Sequence, residues 1–397
     1  MTDSKLKEAL GYSKFKGTPR IVLLDSGYLV VGDILDGAAD LGWEIAVVPA
    51  KAKGKAEGDF LKLLLLTIVK QKPDFVITVN HLGFDNKGIL AGMLNQYNIP
   101  VASWFVDNPV PILGGAVNSA LQNIKLFCFE KTSLQWLKEK GFDEPLYLPT
   151  GSNTKYFNPG SFDKTLPGKF SHPLTFAGNS WWTKAIEEPA TEIKKAAEEI
   201  RRKLNVNHLN FNDQYLSKFK KLKLKVKGDL KKYAALQVAF AKASLDTRIK
   251  FAKALNDQGL RVYGDYNWKK LVKDLDVRDF AAYKTELPVL FACSQININV
   301  TAEQMPTAVN QRVWDVPASG GFLITDYRED AVDFFKEDEE IVVYKNFEEA
   351  KDKVKYYLNH KEIADSIAKK AHEKVVKSHK ITDRLQAMYK SMKKTFE

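Results

Sequence analysis

The first 150 residues alternate between short apolar runs and stretches with helical spacing of their apolar positions. The apolar runs are continuous, as in strands that are buried on both faces of a sheet. They are RIVLLDSG, WEIAVVPA, PDFVITVN, VASWFVD, IKLFCFE and PLYLPTG, with helix-like stretches such as VVGDILDGAADLG and KGILAGMLNQYN between them. This alternation predicts a parallel sheet with helices on both of its faces.

A second series of apolar runs follows a stretch at 150–173 that is rich in Gly, Pro, Ser and Asn and is typical of a linker. The runs are LTFAGNS, LRVYGDYNW, SQININV, GFLITDY and EIVVYK. Between the first two lies an insertion at about 181–256, in which these apolar residues recur at helical spacing: Ile193, Ala197, Ile200 and Leu204. The second series therefore predicts another parallel α/β domain, which carries a helical insertion.

Together the two series predict an α/β chain with two Rossmann-like parallel-sheet domains that face a cleft. We expect the first domain at 1–160 and the second, with its helical insertion at about 181–256, at 161–376. The last segment, 377–397, is expected to form a C-terminal helix that could cross back to the first domain.

Composition narrows the class of protein. No apolar run reaches the roughly 20 residues that cross a bilayer, and the N-terminal MTDSKLKEALGYSKFKG lacks the apolar segment of a signal peptide. Cys128 and Cys293 are too few for a disulfide framework or a cysteine-rich metal site, so we expect the reducing cytoplasm. The formal net charge of +11 favours an acidic partner: a nucleic acid, an anionic membrane or a phosphorylated small molecule.

The stretch VNQRVWDVPASGGFLITDYRED at 309–330 begins like an amphipathic helix and ends like a buried strand. Arg312 and Asp315 lie three residues apart on one helical face, where they can act together. Gly320 and Gly321 have no Cβ, so their N–H groups could approach a ligand. Such a set would suit a nucleotide, with the Arg and the amides on phosphate and the Asp on ribose. A plain Gly-Gly turn between a helix and a strand is the alternative.

This stretch, continued to NQRVWDVPASGGFLITDYREDAVDFF, resembles the signature of CgeB-like glycosyltransferases. These are relatives of the group 1 (family 4) nucleotide-sugar glycosyltransferases, which have the GT-B fold. VRDFAAYKTELPVLFACSQININV, PLYLPTGSNTKYFNP and the C-terminal segment with His379 and Arg384 are also similar to this family. FVITVNHLGFD and IPVASWFVDNPVPIL resemble the uncharacterised N-terminal domain that is often fused to it. The resemblance covers nearly the whole chain except the insertion, and it is specific for the fold rather than for the sugar.

The resemblance implies that the second domain binds the sugar donor and that the first faces the acceptor. In group 1 enzymes, two glutamates separated by seven residues mark the donor site. The second aligns with Asp315, which would contact ribose, whereas the first falls at Thr307, which is not acidic. Group 1 membership implies retention of the anomeric configuration, and the threonine leaves that implication open.

Group 1 enzymes also carry an Arg and a Lys after the first strand of the second domain, where they neutralise the diphosphate. In the corresponding AGNSWWTK, Asn179 replaces the Arg, and Lys184 falls at a suitable spacing for the Lys. Arg312 could supply the missing positive charge. Tyr283 lies where the loop of the family holds the base.

Three residues follow strands of the first domain. His81 could contact the donor sugar, as a first-domain His often does in group 1 enzymes, or it could be a core or capping residue. Asp107 could deprotonate an acceptor hydroxyl, although Asp before Asn-Pro also forms turns. Gly27 could bring its backbone to the donor phosphate or could form a plain turn.

The densest positive charge lies at 218–232. As a helix, this segment would place an apolar stripe under a cationic face, which suits peripheral contact with an anionic membrane; the stripe is Phe219, Leu222, Val226 and Leu230. As KLKLKVK it alternates like a strand. A solvated helical face with lysines that extend into water is the third interpretation.

We therefore expect a cytoplasmic glycosyltransferase, which could be peripheral at the inner membrane face. It would move a sugar from a nucleotide-diphosphate donor to a glycan, a lipid-linked glycan or a protein, without a metal ion or a further cofactor. Thr307 and Asn179 favour an alternative, a non-catalytic relative that binds a sugar nucleotide or glycan as a scaffold or partner subunit. Nucleic-acid binding rests on charge alone, without a recognised motif, and is not expected.

Overall fold

The computed structural model describes residues 3–50, 58–85, 87–113, 122–160, 167–205, 218 and 221–397. The chain forms two compact units: unit 1 is Met1–Pro149 with Ile381–Glu397, and unit 2 is Thr150–Lys380. Among the described residues, no helix has both the length and the apolar composition that a membrane crossing requires.

The two breaks between the units lie at 149/150 and 380/381, whereas the sequence predicted them after 160 and 376. The start of the linker belongs with unit 2 because it pairs with the end of that unit. Ser152 N donates to His379 O at 2.9 Å, and Gly151 O accepts from the Gln311 side chain at 2.9 Å.

Unit 1 contains a six-stranded sheet in the order β2-β1-β3-β4-β5-β6, in which all neighbouring strands are parallel. Its strands are β1 (Arg20–Asp25), β2 (Glu44–Pro49), β3 (Phe75–Val79), β4 (Val101–Phe105), β5 (Ile124–Cys128) and β6 (Leu146–Tyr147). Each lies inside one of the apolar runs that predicted it. Residues 21–24 of β1 are fully buried, as expected for a central strand with both faces covered.

The helices of unit 1 are α1 (Asp3–Leu10), α2 (Leu29–Asp40), α3 (Gly58–Gln71), α4 (Ile89–Gln96), α5 (Pro109–Leu113), α6 (Leu134–Glu139) and, from the end of the chain, α17 (Ile381–Phe396). Helix α17 lies against α2 at Gly37, where a Cβ would be 3.0 Å from the Ile381 side chain. Met388 and Met392 of α17 are fully buried in the core of unit 1. This close approach joins the C-terminal helix to the first sheet.

Unit 2 contains a second six-stranded sheet in the order β12-β11-β10-β7-β8-β9, again with all pairs parallel. Its strands are β7 (His172–Ala177), β8 (Arg261–Tyr263), β9 (Asp276–Arg278), β10 (Ser294–Ile298), β11 (Leu323–Asp326) and β12 (Val342–Tyr344). The three-residue β9 was not predicted, because two of its residues are charged. The two parallel sheets confirm the predicted fold class.

The helices of unit 2 that lie wholly within the described residues are α7 (Pro167–Phe170), α8 (Lys184–Glu187), α9 (Thr191–Leu204), α10 (Asp229–Leu255), α11 (Asn267–Leu271), α12 (Leu287–Cys293), α13 (Arg312–Ala318), α14 (Glu329–Phe334), α15 (Phe347–Asn359) and α16 (Lys361–Ser378). Helices α8, α9 and α10 belong to the predicted insertion. The C-terminal part of α10 packs on the sheet through Phe251 and Leu255, which are fully buried. Helix α10 therefore joins the insertion rigidly to the sheet.

The basic segment at 218–232 is not one continuous helix, nor does its part KLKLKVK form a strand. Residues 222–228 form neither a helix nor a strand, and α10 begins only at Asp229. Gly228, with φ of 79°, has a left-handed conformation that stops a helix from running through it. Leu222 and Val226 lie in this non-helical stretch, so they do not form the apolar stripe of a membrane-facing helix. Phe219, the first residue of the proposed stripe, lies outside the described residues.

Candidate functional site

The sheet of unit 2 reverses its strand order between β7 and β10. From β7 the chain adds β8 and β9 on one side, and then β10, β11 and β12 on the other. In parallel sheets of this kind, ligands bind beyond the carboxyl ends of the strands at the point of reversal. The residues that follow β7 and β10 therefore form the candidate site.

Arg312 bridges the two strand ends at this point. It begins α13, and its guanidinium donates from Nε to Asn299 Oδ1 at 2.7 Å and from Nη1 to Ala177 O at 2.8 Å. The guanidinium lies 5.1 Å from the centre of the Phe176 ring. Burial lowers the pKa of Arg312 to about 10, so the group stays charged at neutral pH. Arg312 was predicted from the sequence as a site residue, and the structure places it at the strand ends.

A second guanidinium, which the sequence analysis missed, lies beside the first. Arg248 comes from α10 and is 4% exposed. Its Nη1 donates to the main-chain O of Asn179 and, at 2.9 Å, to the Asn179 Oδ1. Burial, and then the charge of Arg312, hold the pKa of Arg248 well below its usual value. The two cations therefore repel each other inside one site.

Neither guanidinium is in direct contact with a carboxylate of a described residue. Among the described residues, no carboxylate oxygen lies within 4.0 Å of Arg248 or Arg312. The buried Nε of Arg248 has no acceptor, and its Nη2 makes no hydrogen bond to a described residue. Buried charges in proteins are normally paired or hydrogen-bonded. Asp265, Asp315 and Asp326 act on the two guanidinium groups only from a longer distance, so two adjacent cations without a carboxylate in direct contact are suited to bind an anion.

The loop that follows β10 is held in place by buried polar groups. Thr301 donates from N and from Oγ1 to Asp326 Oδ1, both at 2.9 Å, and Arg328 Nη2 lies 3.2 Å from Asp326 Oδ2. Glu303 is 1% exposed and accepts from Thr247 Oγ1 at 2.8 Å, while burial raises its pKa. This network fixes the side of the site that β10 and β11 form.

Asp315 and Thr307 are occupied in holding the fold. Asp315 is 2% exposed, and its Oδ1 accepts from Ser152 Oγ at 2.7 Å and from Gln311 Nε2 at 3.0 Å. Thr307 is 6% exposed, and its main-chain O accepts from Asp330 N at 3.1 Å. The ribose contact of Asp315 stays a prediction, and it would require the carboxylate to leave these partners.

The structure does not bring Gly320 and Gly321 to Arg312, which corrects the contact expected of their amides. Helix α13 has seven residues and carries the chain roughly 10 Å, from the carboxyl edge of the sheet to the opposite edge. There the two N–H groups donate to Pro317 O at 2.9 Å and to Val316 O at 3.0 Å. These glycines close the helix, beside a cavity of about 330 Å³ at the amino-terminal ends of β7 and β10.

The other residues expected to bind the donor have local roles in the structure. Asn179 is exposed and accepts from Arg248, and the exposed Lys184 begins α8. The Tyr283 ring packs on Phe157, with 5.2 Å between the ring centres. The contacts of Lys184 with phosphate and of Tyr283 with a base stay predictions.

Unit 1 has its own reversal of strand order, between β1 and β3. Asp107 Oδ2, after β4, accepts from Asn80 Nδ2 at 2.8 Å, and the side chain of Tyr28 lies close to Asp107. Burial and the charge of Asp107 raise the pKa of Tyr28 to about 12. Gly27 N donates to Asp25 Oδ1 at 2.8 Å and has φ of 77°, so it forms a local turn. Asp107 therefore lies in a polar cluster, and its role with the acceptor stays a prediction.

His81 is half-buried and packs against aromatic rings rather than with Asp107. Its ring centre is 4.3 Å from that of Phe84 and 6.3 Å from that of Phe105, and its Nδ1 lies 3.1 Å from Ser103 Oγ. Burial lowers the pKa of His81 to about 4, so the ring is neutral at pH 7. These contacts match the alternative of a core histidine, and its contact with a donor sugar stays a prediction.

A sequence signal for Arg248 does exist in α10. Ser244, Thr247 and Arg248 occupy the helical face that continues into the buried Phe251. Polar residues on a buried helical face need hydrogen-bonding partners inside the protein. The signal is weak without the fold, because nothing in the sequence shows that this face meets the end of β7.

Part of the chain matches a known family. Residues 247–390, less than half of the chain, match the profile of a family described as Glycosyl transferase-like. This segment includes Arg248 and Arg312. No curated protein is significantly similar to the sequence.

Solved structures share the fold at low sequence identity. The Anabaena protein HepE in complex with UDP-glucose has a TM-score of 0.51 and 11% identity, over 94% of this chain and 99% of that chain. A trehalose-6-phosphate synthase has the same values, a TM-score of 0.51 and 11% identity over 94% and 99% of the two chains. A Listeria monocytogenes protein assigned as a UDP-N-acetylglucosamine 2-epimerase has a TM-score of 0.50 and 10% identity, over 96% and 97%. The chain thus has the two-domain, Rossmann-like GT-B fold, and most of its Glycosyl transferase-like segment lies in unit 2.

Proposed function

We propose that the protein is a glycosyltransferase that binds the diphosphate of a nucleotide-sugar donor between Arg248 and Arg312. The observation that carries this proposal is the pair of adjacent guanidinium groups without a carboxylate within 4.0 Å among the described residues. The family match over 247–390 supports the reaction class. The UDP-glucose complex of HepE, a protein of the same fold, supports the ligand class.

The charges of the site suit a diphosphate that joins two organic groups. Such a diphosphate carries two negative charges, and placing it between two guanidinium groups would replace their repulsion by charge-assisted hydrogen bonds. Arg312 is held by Asn299 and Ala177, so it needs no rearrangement. The Nη2 of Arg248 is the group that remains available to the ligand.

The same cations would assist the transfer step. The oxygen of an acceptor hydroxyl forms a bond to the anomeric carbon of the sugar while its proton passes to a general base, and the bond from that carbon to the diphosphate oxygen breaks. The departing nucleoside diphosphate keeps the electron pair of that bond and gains one negative charge. Fixed cations next to the developing charge lower the barrier. We propose that they do so without a divalent metal ion.

Turnover of nucleotide sugars tests the proposal. The protein is incubated with UDP-, GDP- and ADP-sugars, with and without EDTA, and the release of nucleoside diphosphate is followed. We expect steady release that EDTA does not abolish and that Arg248→Met slows.

Two other outcomes would replace the proposal. Saturable binding of a sugar nucleotide without release of diphosphate would indicate the non-catalytic relative. Conversion of the sugar while it remains attached to its nucleotide would indicate an epimerase, an activity assigned to one protein of the same fold.

A further inference from the structure

Trp181 has a backbone conformation that bulky residues rarely adopt. Its φ of 69° lies in the left-handed region, which disfavours side chains larger than glycine. Ser180 holds the turn by donating from N to Asp265 Oδ2 at 2.5 Å and from Oγ to Asp265 Oδ1 at 2.9 Å. Strained residues that the surrounding structure holds in place are concentrated at functional sites. The position of this side chain therefore requires an explanation.

The Trp181 indole lies next to the proposed diphosphate site. Its ring centre is 5.8 Å from the guanidinium carbon of Arg248, and the side chain is only partly buried. The indole N–H makes no hydrogen bond to a described residue and is not a buried orphan. A ligand that reaches Arg248 would thus meet a partly open aromatic face.

The two sides of the site offer different chemistry. Aromatic rings follow the strands on the β8 side: Trp181 after β7, Tyr266 after β8 at 67% exposure, and Phe280 after β9 at 59% exposure. Buried polar groups follow the strands on the β10 side, where Thr301, Glu303, Asp326 and Arg328 lie. A nucleobase has a flat face that stacks on aromatic rings, whereas a sugar needs hydrogen-bonding partners for its hydroxyls. The aromatic side is therefore suited to the nucleoside.

We infer that Trp181 stacks on the nucleobase of the donor and so contributes to the selection of its nucleoside half. This inference rests on the proposed function, because it takes the diphosphate to bind at Arg248. Trp181 contacts Arg248 and follows β7, the strand next to β8 in the sheet. The left-handed backbone is then explained by the need to turn the indole toward the ligand.

A merely structural role makes a different prediction. If Trp181 only anchored the insertion to unit 2, its loss would lower the stability of the protein and would weaken all ligands alike. Stacking predicts a loss that depends on whether the ligand carries a base. Ligands with and without a base can therefore separate the two roles.

The experiment compares inorganic pyrophosphate, UDP, ADP, GDP and UDP-glucose by isothermal titration calorimetry. The variants are Trp181→Ala, Trp181→Phe and Trp181→Gly, and glycine also relieves the left-handed backbone. Trp182→Ala is the matched control, because Trp182 is the neighbouring, equally half-buried tryptophan. Fluorescence quenching by the tightest nucleoside diphosphate, compared between the wild type and Trp181→Phe, reports the indole directly.

We expect Trp181→Ala and Trp181→Gly to weaken the tightest nucleoside diphosphate about 5- to 100-fold and to leave pyrophosphate within about twofold. Trp181→Phe should keep part of the affinity, and Trp182→Ala should keep nearly all of it. UDP and UDP-glucose should lose affinity by the same factor. Trp181→Gly should remain as stable as the wild type to heat, so the loss cannot be attributed to unfolding.

Several results would overturn the inference. Three results with Trp181→Ala would each show that Trp181 does not contact the base: unchanged affinity, an equal loss for pyrophosphate, or a loss confined to UDP-glucose. If the wild type bound pyrophosphate as tightly as any nucleoside diphosphate, the site would not recognise a base. The inference on Trp181 would then fail, whereas the proposed anion site would stand. If the wild type bound none of these ligands, the proposed function itself would fall.

Discussion

Replacing Arg248 by Met removes one of the two guanidinium groups and keeps an unbranched apolar side chain. A hydrogen bond to a charged group contributes roughly 1.5–3 kcal/mol when its partner is buried. We therefore expect Arg248→Met to raise the dissociation constant of the preferred nucleoside diphosphate roughly 10- to 100-fold. The effect should shrink at high salt, since part of it is electrostatic.

The stability of the same variant should not fall with its affinity. Burial and the charge of Arg312 disfavour the charged form of Arg248, so its removal relieves a cost in the folded state. The hydrogen bonds that are lost lead to Asn179, which is exposed and can bond to water instead. We expect the free energy of unfolding to stay within about 1 kcal/mol of the wild type or to rise.

Calorimetric titration and urea unfolding measure these two quantities on the same preparation. Arg201→Met is the matched control, because Arg201 lies in the same insertion but forms an ion pair, with 2.6 Å between its Nη2 and Asp246 Oδ2. It should bind the nucleoside diphosphate like the wild type and lose at most about 1 kcal/mol of stability. Arg248→Met with unchanged affinity, or with a stability loss above about 3 kcal/mol, would show that Arg248 is a structural residue.

Three further substitutions test other parts of the structure. Burial raises the pKa of Glu303, so the protein should lose stability as pH rises above about 4.3, where the carboxyl ionises in the unfolded chain. Glu303→Gln should remove this loss, since its amide oxygen can still accept from Thr247. Urea unfolding at several pH values measures the free energy of unfolding of both proteins. Burial lowers the pKa of His81 to about 4. The free energy of unfolding should therefore fall by up to about 3 kcal/mol as pH drops from about 6.5 to 4, and His81→Asn should reduce this pH dependence in the same assay. Gly321→Ala would place a Cβ 2.3 Å from Phe291 O, so it should cost at least about 2 kcal/mol in thermal unfolding while the folded fraction still binds nucleotide. A pH-independent difference at Glu303, an unchanged slope at His81 or a stable Gly321→Ala would contradict the corresponding expectation.

The strands and one site residue could be predicted because they depend on local pattern. Continuous apolar runs mark strands that are buried on both faces. Of the twelve strands in the described residues, ten lie within such runs, and β7 begins two residues before its run. Arg312 could be selected because it begins a helix that directly follows a strand loop. That position brings it to the carboxyl edge of the sheet in any parallel α/β topology.

The remaining site residues depend on contacts between distant parts of the chain. Arg248 reaches the end of β7 only because α10 packs across the sheet, and Asn179, which it contacts, is 69 residues away. Trp181 is turned toward the site by a carboxylate that follows β8. Gly320 and Gly321 were expected near Arg312 because they are close in sequence, but α13 carries them to the other edge of the sheet.

A crystal structure of the protein with the nucleoside diphosphate that it binds most tightly would test the central claim directly. We expect density for the diphosphate between the guanidinium groups of Arg248 and Arg312, beyond the carboxyl ends of β7 and β10. Density for the ligand in the cavity beside Gly320 and Gly321, or a bound diphosphate that contacts neither arginine, would contradict it.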